Sequence, residues 1–275
     1  MITKTFLASF TIQKEWDNDP IKMIDVIKTM GYDGMELSVD KDDSTIDAIA
    51  EKMKEAGLIA VCTHINFDLL NNEFNKYISR IKKLGIKNLC IPWLDRNRLP
   101  GGEDYQQTKK QIKTLSGKCF DNGIILSYHN HNFEFEKIGG VCKLDILFQD
   151  IPELKSQLDV CWCAVGGQDP AEFIRHYGHR MPTIHLKDFT ALEDYVGEKL
   201  FNLLRNSNKD EADKLRGDSG FDFRPVGYGK VNFKSVFQAI KETGINWMGV
   251  EQDVSTERPP LKAAKMSISY IKENY

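Results

Sequence analysis

No stretch of this 275-residue chain approaches the roughly 18 consecutive apolar residues that a membrane-spanning helix requires, so no contact with a bilayer is expected. Positive charge is not in excess either: 37 Lys and Arg stand against 40 Asp and Glu, a net charge of -3. Nucleic-acid binding relies on basic side chains that neutralise phosphates, so a polyanionic partner is disfavoured. The six cysteines, Cys62, Cys90, Cys119, Cys142, Cys161 and Cys163, lack the compact spacing of a disulfide framework or zinc ribbon. Most fall inside apolar runs and are expected as buried thiols in a reducing compartment. The amino-terminal MITKTFLASFTIQKEW has no sustained apolar stretch leading to a small-residue cleavage site, so a cytoplasmic location is expected. Neither G-x-G-x-x-G nor G-x-x-x-x-G-K-[ST] follows a strand-like run, which removes the usual nucleotide-binding signatures.

What the chain does have is a recurring phrase, an amphipathic helix that ends in Gly and runs at once into a short β-type segment. It occurs as KTMGYDGMEL, KEAGLIAVCTHI, KKLGIKNLCIPW, FDNGIILSYHNH and KETGINWMGVEQD. Gly31, Gly57, Gly85, Gly123 and Gly244 fit the left-handed position that closes a helix, where a side chain would be strained. Strands are expected near 4–10, 33–39, 58–64, 87–93, 124–129, 155–161, 182–187 and 246–251. Helices are expected near 20–30, 43–56, 70–84, 104–121, 143–150, 169–178, 232–243 and 260–273. Strict alternation implies right-handed parallel crossovers, and eight units can close on themselves into a single-domain (β/α)8 TIM barrel. An open doubly wound sheet is the alternative.

The stretch 189–230 is too long for an ordinary connection. It holds a helix-like portion near 191–205, a polar run and a Gly-rich turn. As an insertion after strand 7 it could cover a substrate, pack against a second copy of the chain in a homo-oligomer, or simply be a tolerated surface loop.

In such barrels the site forms at the carboxyl ends of the strands. The polar residues there are Glu36, His64, Trp93, Asp95, His129, His131, Glu134, Asp159, Trp162, His185, Lys187, Glu251 and Asp253. Asp159, His185 and Glu251 end apolar runs, where an unpaired carboxylate is costly to desolvate and a shared cation would remove that cost. A mixed carboxylate and imidazole shell suits one divalent ion, Mn²⁺, Mg²⁺, Co²⁺ or Zn²⁺. Taken singly, each residue could equally be a hydrogen-bonded polar group of the barrel.

Five segments, YHNHNFEF at 128–135, LDVCWCAVGGQDP at 158–170, IHLKD at 184–188, PVGYGK at 225–230 and VEQD at 250–253, resemble in this order the xylose isomerase-like barrels. That family includes sugar isomerases and epimerases, inosose dehydratases and the endonuclease IV branch, and the resemblance spans nearly the whole chain. It implies one metal held by a carboxylate from strand 5, an Asp from strand 6, a His from strand 7 and a Glu from strand 8. The last three correspond to Asp159, His185 and Glu251, with the separation of 26 residues from Asp159 to His185 similar to the family's. Strand 5 departs from the pattern: His129-Asn130-His131 stands where many members place Glu. Glu134 is assigned as the fourth ligand, with His129 as its rival.

The resemblance implies proton transfer beside a substrate carbonyl, through an enediolate, on a keto-sugar or cyclitol. Glu251 and the strand-5 group, Glu134, would flank the carbon, with His131 or His129 able to substitute because imidazole titrates near neutrality. Lys187 lies two residues past His185 on the same strand face and could donate to a substrate oxygen, or form a salt bridge with a barrel carboxylate. Trp162 could stack on a sugar face, as could Trp16 or Trp93. His64 and Glu36 are expected to contact substrate or buttress the ligands, and His176 and His179 to be solvated. An isomerase or epimerase is the leading expectation. Its rival is a dehydratase or 3-keto-glycoside lyase that shares the intermediate; a non-catalytic carbohydrate-binding barrel is a third reading. Endonuclease IV-like DNA repair needs about nine metal ligands, and this slightly acidic chain has six histidines in all.

Overall fold

The glycines that punctuate the sequence adopt the backbone their spacing predicts: φ is 97° at Gly31, 61° at Gly57, 70° at Gly85, 70° at Gly123 and 71° at Gly244. Each closes a helix and releases the chain into a strand. The computed structural model describes residues 3–191, 211, 214, 215 and 218–275. Its barrel strands are β1 Lys4–Ala8, β2 Gly34–Glu36, β3 Ile59–His64, β4 Asn88–Ile91, β5 Ile125–His129, β6 Lys155–Asp159, β7 Thr183–Leu186 and β8 Trp247–Val250. All pair in parallel, and β1 bonds to both β2 and β8, closing the barrel. No described helix is long and apolar enough to cross a membrane.

Helices Pro20–Met30, Asp43–Ala56, Tyr105–Asp121, Lys143–Asp150, Pro170–Tyr177, Phe233–Thr243 and Pro260–Asn274 fall where the periodicity places them. Side chains just before several of them, Asp19, Asp42, Asp169 and Asn232, accept backbone N–H bonds of the first turn. The expected helix at 70–84 is two, Phe67–Asn72 and Phe74–Leu84. The strand expected at 4–10 stops at Ala8 and gives way to a 3-10 turn at Ser9–Ile12. The strand expected at 155–161 stops at Asp159, whose carboxylate accepts the N–H of Trp162 at 2.8 Å and starts the helix Val160–Val165. An Asp side chain that offers its own acceptor to the backbone competes with the sheet ladder, and here it wins.

Inside the barrel, Phe6, Val61 and Cys62 form a small apolar layer of their own. A side chain at Gly249 would overlap the Phe6 ring, so the missing Cβ there lets that ring fill the interior. Phe6 lies beneath His185, ring centroids 5.8 Å apart, and the polar site rests on this floor.

The insertion begins and ends as an antiparallel pair, Asp188–Thr190 against Asp222–Arg224. Its helix-like portion near 191–205 lies outside the described residues. The Gly-rich turn that follows returns to a single acceptor. Asp188 Oδ2 takes the N–H of Gly227 at 3.0 Å and of Gly229 at 2.8 Å, while Oδ1 takes those of Phe189 at 2.9 Å and Val231 at 3.0 Å. A Cβ at Gly229 would strike this carboxylate. Asp188→Ala therefore strands four N–H groups, and a loss on the order of 3 kcal/mol in urea-unfolding stability is expected, since each unsatisfied buried group costs roughly 1–3 kcal/mol and water reaches part of this turn.

Candidate metal centre

Parallel register decides which side chains meet at the mouth. His129 at the end of β5 is level with Gln157, and Asp159 at the end of β6 is level with His185 on β7. Glu251 follows β8, its N–H bonded to Leu186 O at 3.2 Å. Alternation along β6 sends Gln157 and Asp159 to the same face, both fully buried.

One ligand-type atom from each of His129, Asp159, His185 and Glu251 lies within 4.8 Å of the other three. All four residues are buried. Asp159 Oδ2 and His185 Nδ1 make no hydrogen bond, although buried polar atoms almost always have a partner. His185 Nδ1 faces Glu251 Oε2 at 3.3 Å, while its Nε2 bonds Glu36 Oε2 at 3.1 Å. A carboxylate acceptor on one imidazole nitrogen and a bare second nitrogen facing other donors is the usual dress of a metal-binding histidine. Two carboxylates and two imidazoles fit a divalent transition ion.

The charges support the same conclusion. Burial alone would raise the Glu36 carboxyl, but His64 and His185 override it and hold the group at about 2. Burial likewise works against protonation of His185, yet Glu36 and Glu251 pull it up to about 10. A positive charge is thus favoured between these carboxylates. Desolvation, reinforced by His185, drives His129 well below its ordinary value and keeps it neutral, as a ligand must be. Lys187 Nζ sits 2.8 Å from Glu251, 2.6 Å from Asp253 and 3.6 Å from Asp159. Burial opposes its charge, but these carboxylates carry its pKa well above the lysine range.

The structure does not bring Glu134 to this cluster. Glu134 is fully buried beside β5, accepting the Tyr128 hydroxyl at 2.5 Å on Oε1 and the His131 N–H at 2.8 Å on Oε2. Burial pushes its carboxyl up to about 7 against the pull of those two donors. Five residues past the strand, it braces the turn; His129, on the strand itself, reaches the centre. Trp162 also departs from expectation. It is fully buried behind the site, packed on Phe221 and Phe223 and 5.5 Å beneath the Lys187 ammonium, because the chain turns helical at Val160.

A cavity of about 540 Å³ opens above the cluster, lined among others by Trp16, Glu36, His64, Trp93, His131, Lys187 and Glu251. Trp16 and Trp93, unlike Trp162, line this cavity; Trp93 is part-exposed and offers aromatic surface to a ligand, whereas Trp16 is almost wholly buried. His64 Nε2 bonds Gln157 Oε1 at 2.5 Å and lies 3.3 Å from Glu36 Oε2, so it braces the site from the cavity wall. His176 and His179 are exposed, as their positions in the chain imply. Sequence reasoning missed Gln157, an uncharged residue with no place in a search for titrating groups. Its one signal was its position, two before Asp159 on the same strand face.

A closed parallel barrel with a cluster of ligand-type side chains at the carboxyl ends of its strands defines the chain as a TIM barrel with a candidate metal site. It belongs to the xylose isomerase-like TIM barrel family, whose model matches residues 24–274. It is similar to an inosose dehydratase of Clostridium botulinum, 23% identical over 181 residues that cover 62% of this chain and 55% of that one. This match therefore spans just over half of the relative's length. An inosose dehydratase of Lacticaseibacillus casei is 21% identical over 278 residues, covering 90% of this chain and 89% of that one. Among solved structures, a sugar phosphate isomerase/epimerase of Parabacteroides distasonis superposes with a TM-score of 0.76 at 19% identity, covering 99% and 94% of the two chains.

Two outcomes follow for purified protein titrated with Zn²⁺ by calorimetry. His129→Ala should lose tight binding, whereas Glu134→Gln should keep wild-type affinity while losing about 1–3 kcal/mol of stability through its mismatched partners; the reverse pattern would restore Glu134 as the ligand. Binding should also release a proton, because His185 holds one up to about pH 10 when no cation is present and must give it up to become a ligand. Between roughly pH 7 and 9 affinity should therefore rise about tenfold per unit, and pH-independent affinity would contradict the assignment.

Proposed function

We propose that this protein is a divalent-metal-dependent isomerase or epimerase that moves a proton beside the carbonyl of an uncharged keto-sugar or cyclitol. The observation that carries the reading is the His129, Asp159, His185 and Glu251 cluster at the base of a cavity of sugar size. Those four residues would hold the cation. When bound, it supplies Lewis acidity that makes a neighbouring C–H more acidic.

The chain's own groups do the rest. Glu251 faces the cavity from the strand-8 side with Oε2 held by Lys187, which places a carboxylate to take the proton from carbon. His131, on the strand-5 side of the same cavity, is placed to return one. Lys187, fully charged among its carboxylates, steadies negative charge that develops on substrate oxygen. Trp93 presents apolar aromatic surface to the sugar. Among the described residues lining the cavity, Lys187 is the one lysine or arginine, and three carboxylates already surround it. A phosphate ester would find no other lysine or arginine among those residues, which supports an uncharged substrate.

One observation favours a second reading. With His129 in place of a strand-5 carboxylate, the two sides of the cavity carry unlike groups, a carboxylate and imidazoles. That asymmetry suits expulsion of a β-hydroxyl by an imidazolium acid as well as it suits reprotonation, and the similar curated proteins are inosose dehydratases.

Proton NMR in D₂O with Zn²⁺-loaded protein and a panel of keto-sugars and inososes separates these outcomes. Deuterium entering the carbon beside the carbonyl without loss of water is expected for the isomerase or epimerase; loss of water would select the dehydratase. Glu251→Gln should slow exchange by about 10²–10⁴-fold. A ligand that binds the loaded protein and shows neither exchange nor elimination would contradict both.

A further inference from the structure

We infer that Gln157, which neither metal nor substrate need touch, is a positioning residue that decides which nitrogen of His129 is open to the cation. The inference rests on the metal-centred reading above and extends it to a residue with no assigned role.

Gln157 is level with His129 on the neighbouring strand, two residues before Asp159, and is completely buried. Its amide is saturated on both sides. Nε2 donates to Glu36 Oε2 at 3.0 Å and Thr183 Oγ1 at 3.1 Å, while Oε1 lies 2.5 Å from His64 Nε2 and 3.3 Å from His129 Nδ1. The chemistry of the partners sets the amide's orientation. A Glu36 carboxylate can only accept, so the NH₂ group must face it, and the carbonyl oxygen is left for the two ring nitrogens. That oxygen cannot donate. His129 must therefore carry its proton on Nδ1, and in a ligand imidazole, which is neutral, the lone pair is then left on Nε2. Nε2 is the atom turned toward the cluster, 3.9 Å from Asp159 Oδ2.

Glu36 performs the matching task for His185, accepting from Nε2 and leaving Nδ1 toward Glu251. The two imidazoles would thus present opposite nitrogens to one cation, each selected by an acceptor behind it. Gln157 links the two devices, since its NH₂ also holds Glu36. An apolar residue of the same length would leave His129 free to place its proton on Nε2, which would block the ligand position.

The test uses full-length, metal-free protein labelled with ¹⁵N, with long-range ¹H–¹⁵N correlations reporting the tautomer of each histidine and His129→Asn identifying the His129 signals. Wild type should show His129 protonated on Nδ1. Gln157→Met should lose that preference and bind Zn²⁺ about 10–100-fold more weakly, the usual effect of removing the partner behind a ligand. Gln157→Glu, which keeps an acceptor oxygen, should retain the Nδ1–H form. An Nε2–H tautomer in wild type, an unchanged tautomer in Gln157→Met even with weakened binding, or loss of the preference in Gln157→Glu would overturn the assignment. Should wild type bind no Zn²⁺, the metal reading fails separately, and the tautomers still decide what Gln157 does. If Gln157→Met does not fold, wild type and Gln157→Glu carry the same decision.

Discussion

Buried negative charge at the barrel mouth is the constraint on which the rest of this site depends. Glu36, Asp159 and Glu251 are all buried, with Asp253 beside them, and a carboxylate removed from water is costly unless something positive answers it. Lys187 answers three of the four. His185, wedged between Glu36 and Glu251, answers the remaining charge by keeping a proton it would otherwise lose. A divalent cation at the bare atoms of the cluster would do the same work with a stronger charge. In that case the protonated His185 stands in for the ion, and the centre would exchange one positive charge for another.

The fold supplies this arrangement through register. Parallel pairing puts Asp159 level with His185 and His129 level with Gln157, so two donors meet side by side and a third stands beside its support. Phe6 closes the space below because Gly249 leaves room for it. Asp188, just past the end of β7, gathers the turn at 227–231 that returns the insertion to the barrel. Rigid strands thus carry the charged groups, and a single buried acceptor anchors the returning loop close to them.

Much of this was legible in the sequence because it depends on local rules. Helix-ending glycines and apolar runs have fixed periods, so the eight strands and most helices could be placed to within a few residues. Asp159, His185 and Glu251, which the structure brings together, stood out because ligand-type residues at apolar strand ends are costly without a reason to be there. Glu134 lies apart from the cluster because a residue five positions beyond a strand points wherever the turn sends it, here toward Tyr128. Trp162 was misjudged because its place hangs on the choice of Asp159 to cap a helix instead of extending the sheet. Gln157 could not be ranked at all: a buried amide declares its purpose only through partners on four other strands.

The central claim is that one divalent cation is shared by His129 Nε2, Asp159, His185 Nδ1 and Glu251. Anomalous diffraction from a crystal soaked in Mn²⁺ tests it most directly. The account predicts a single strong peak about 2.0–2.3 Å from an atom of each of these four residues, with Glu134 still bound to Tyr128. A crystal without a peak at the barrel mouth, or with a peak coordinated by Glu134 and not by His129, would contradict it.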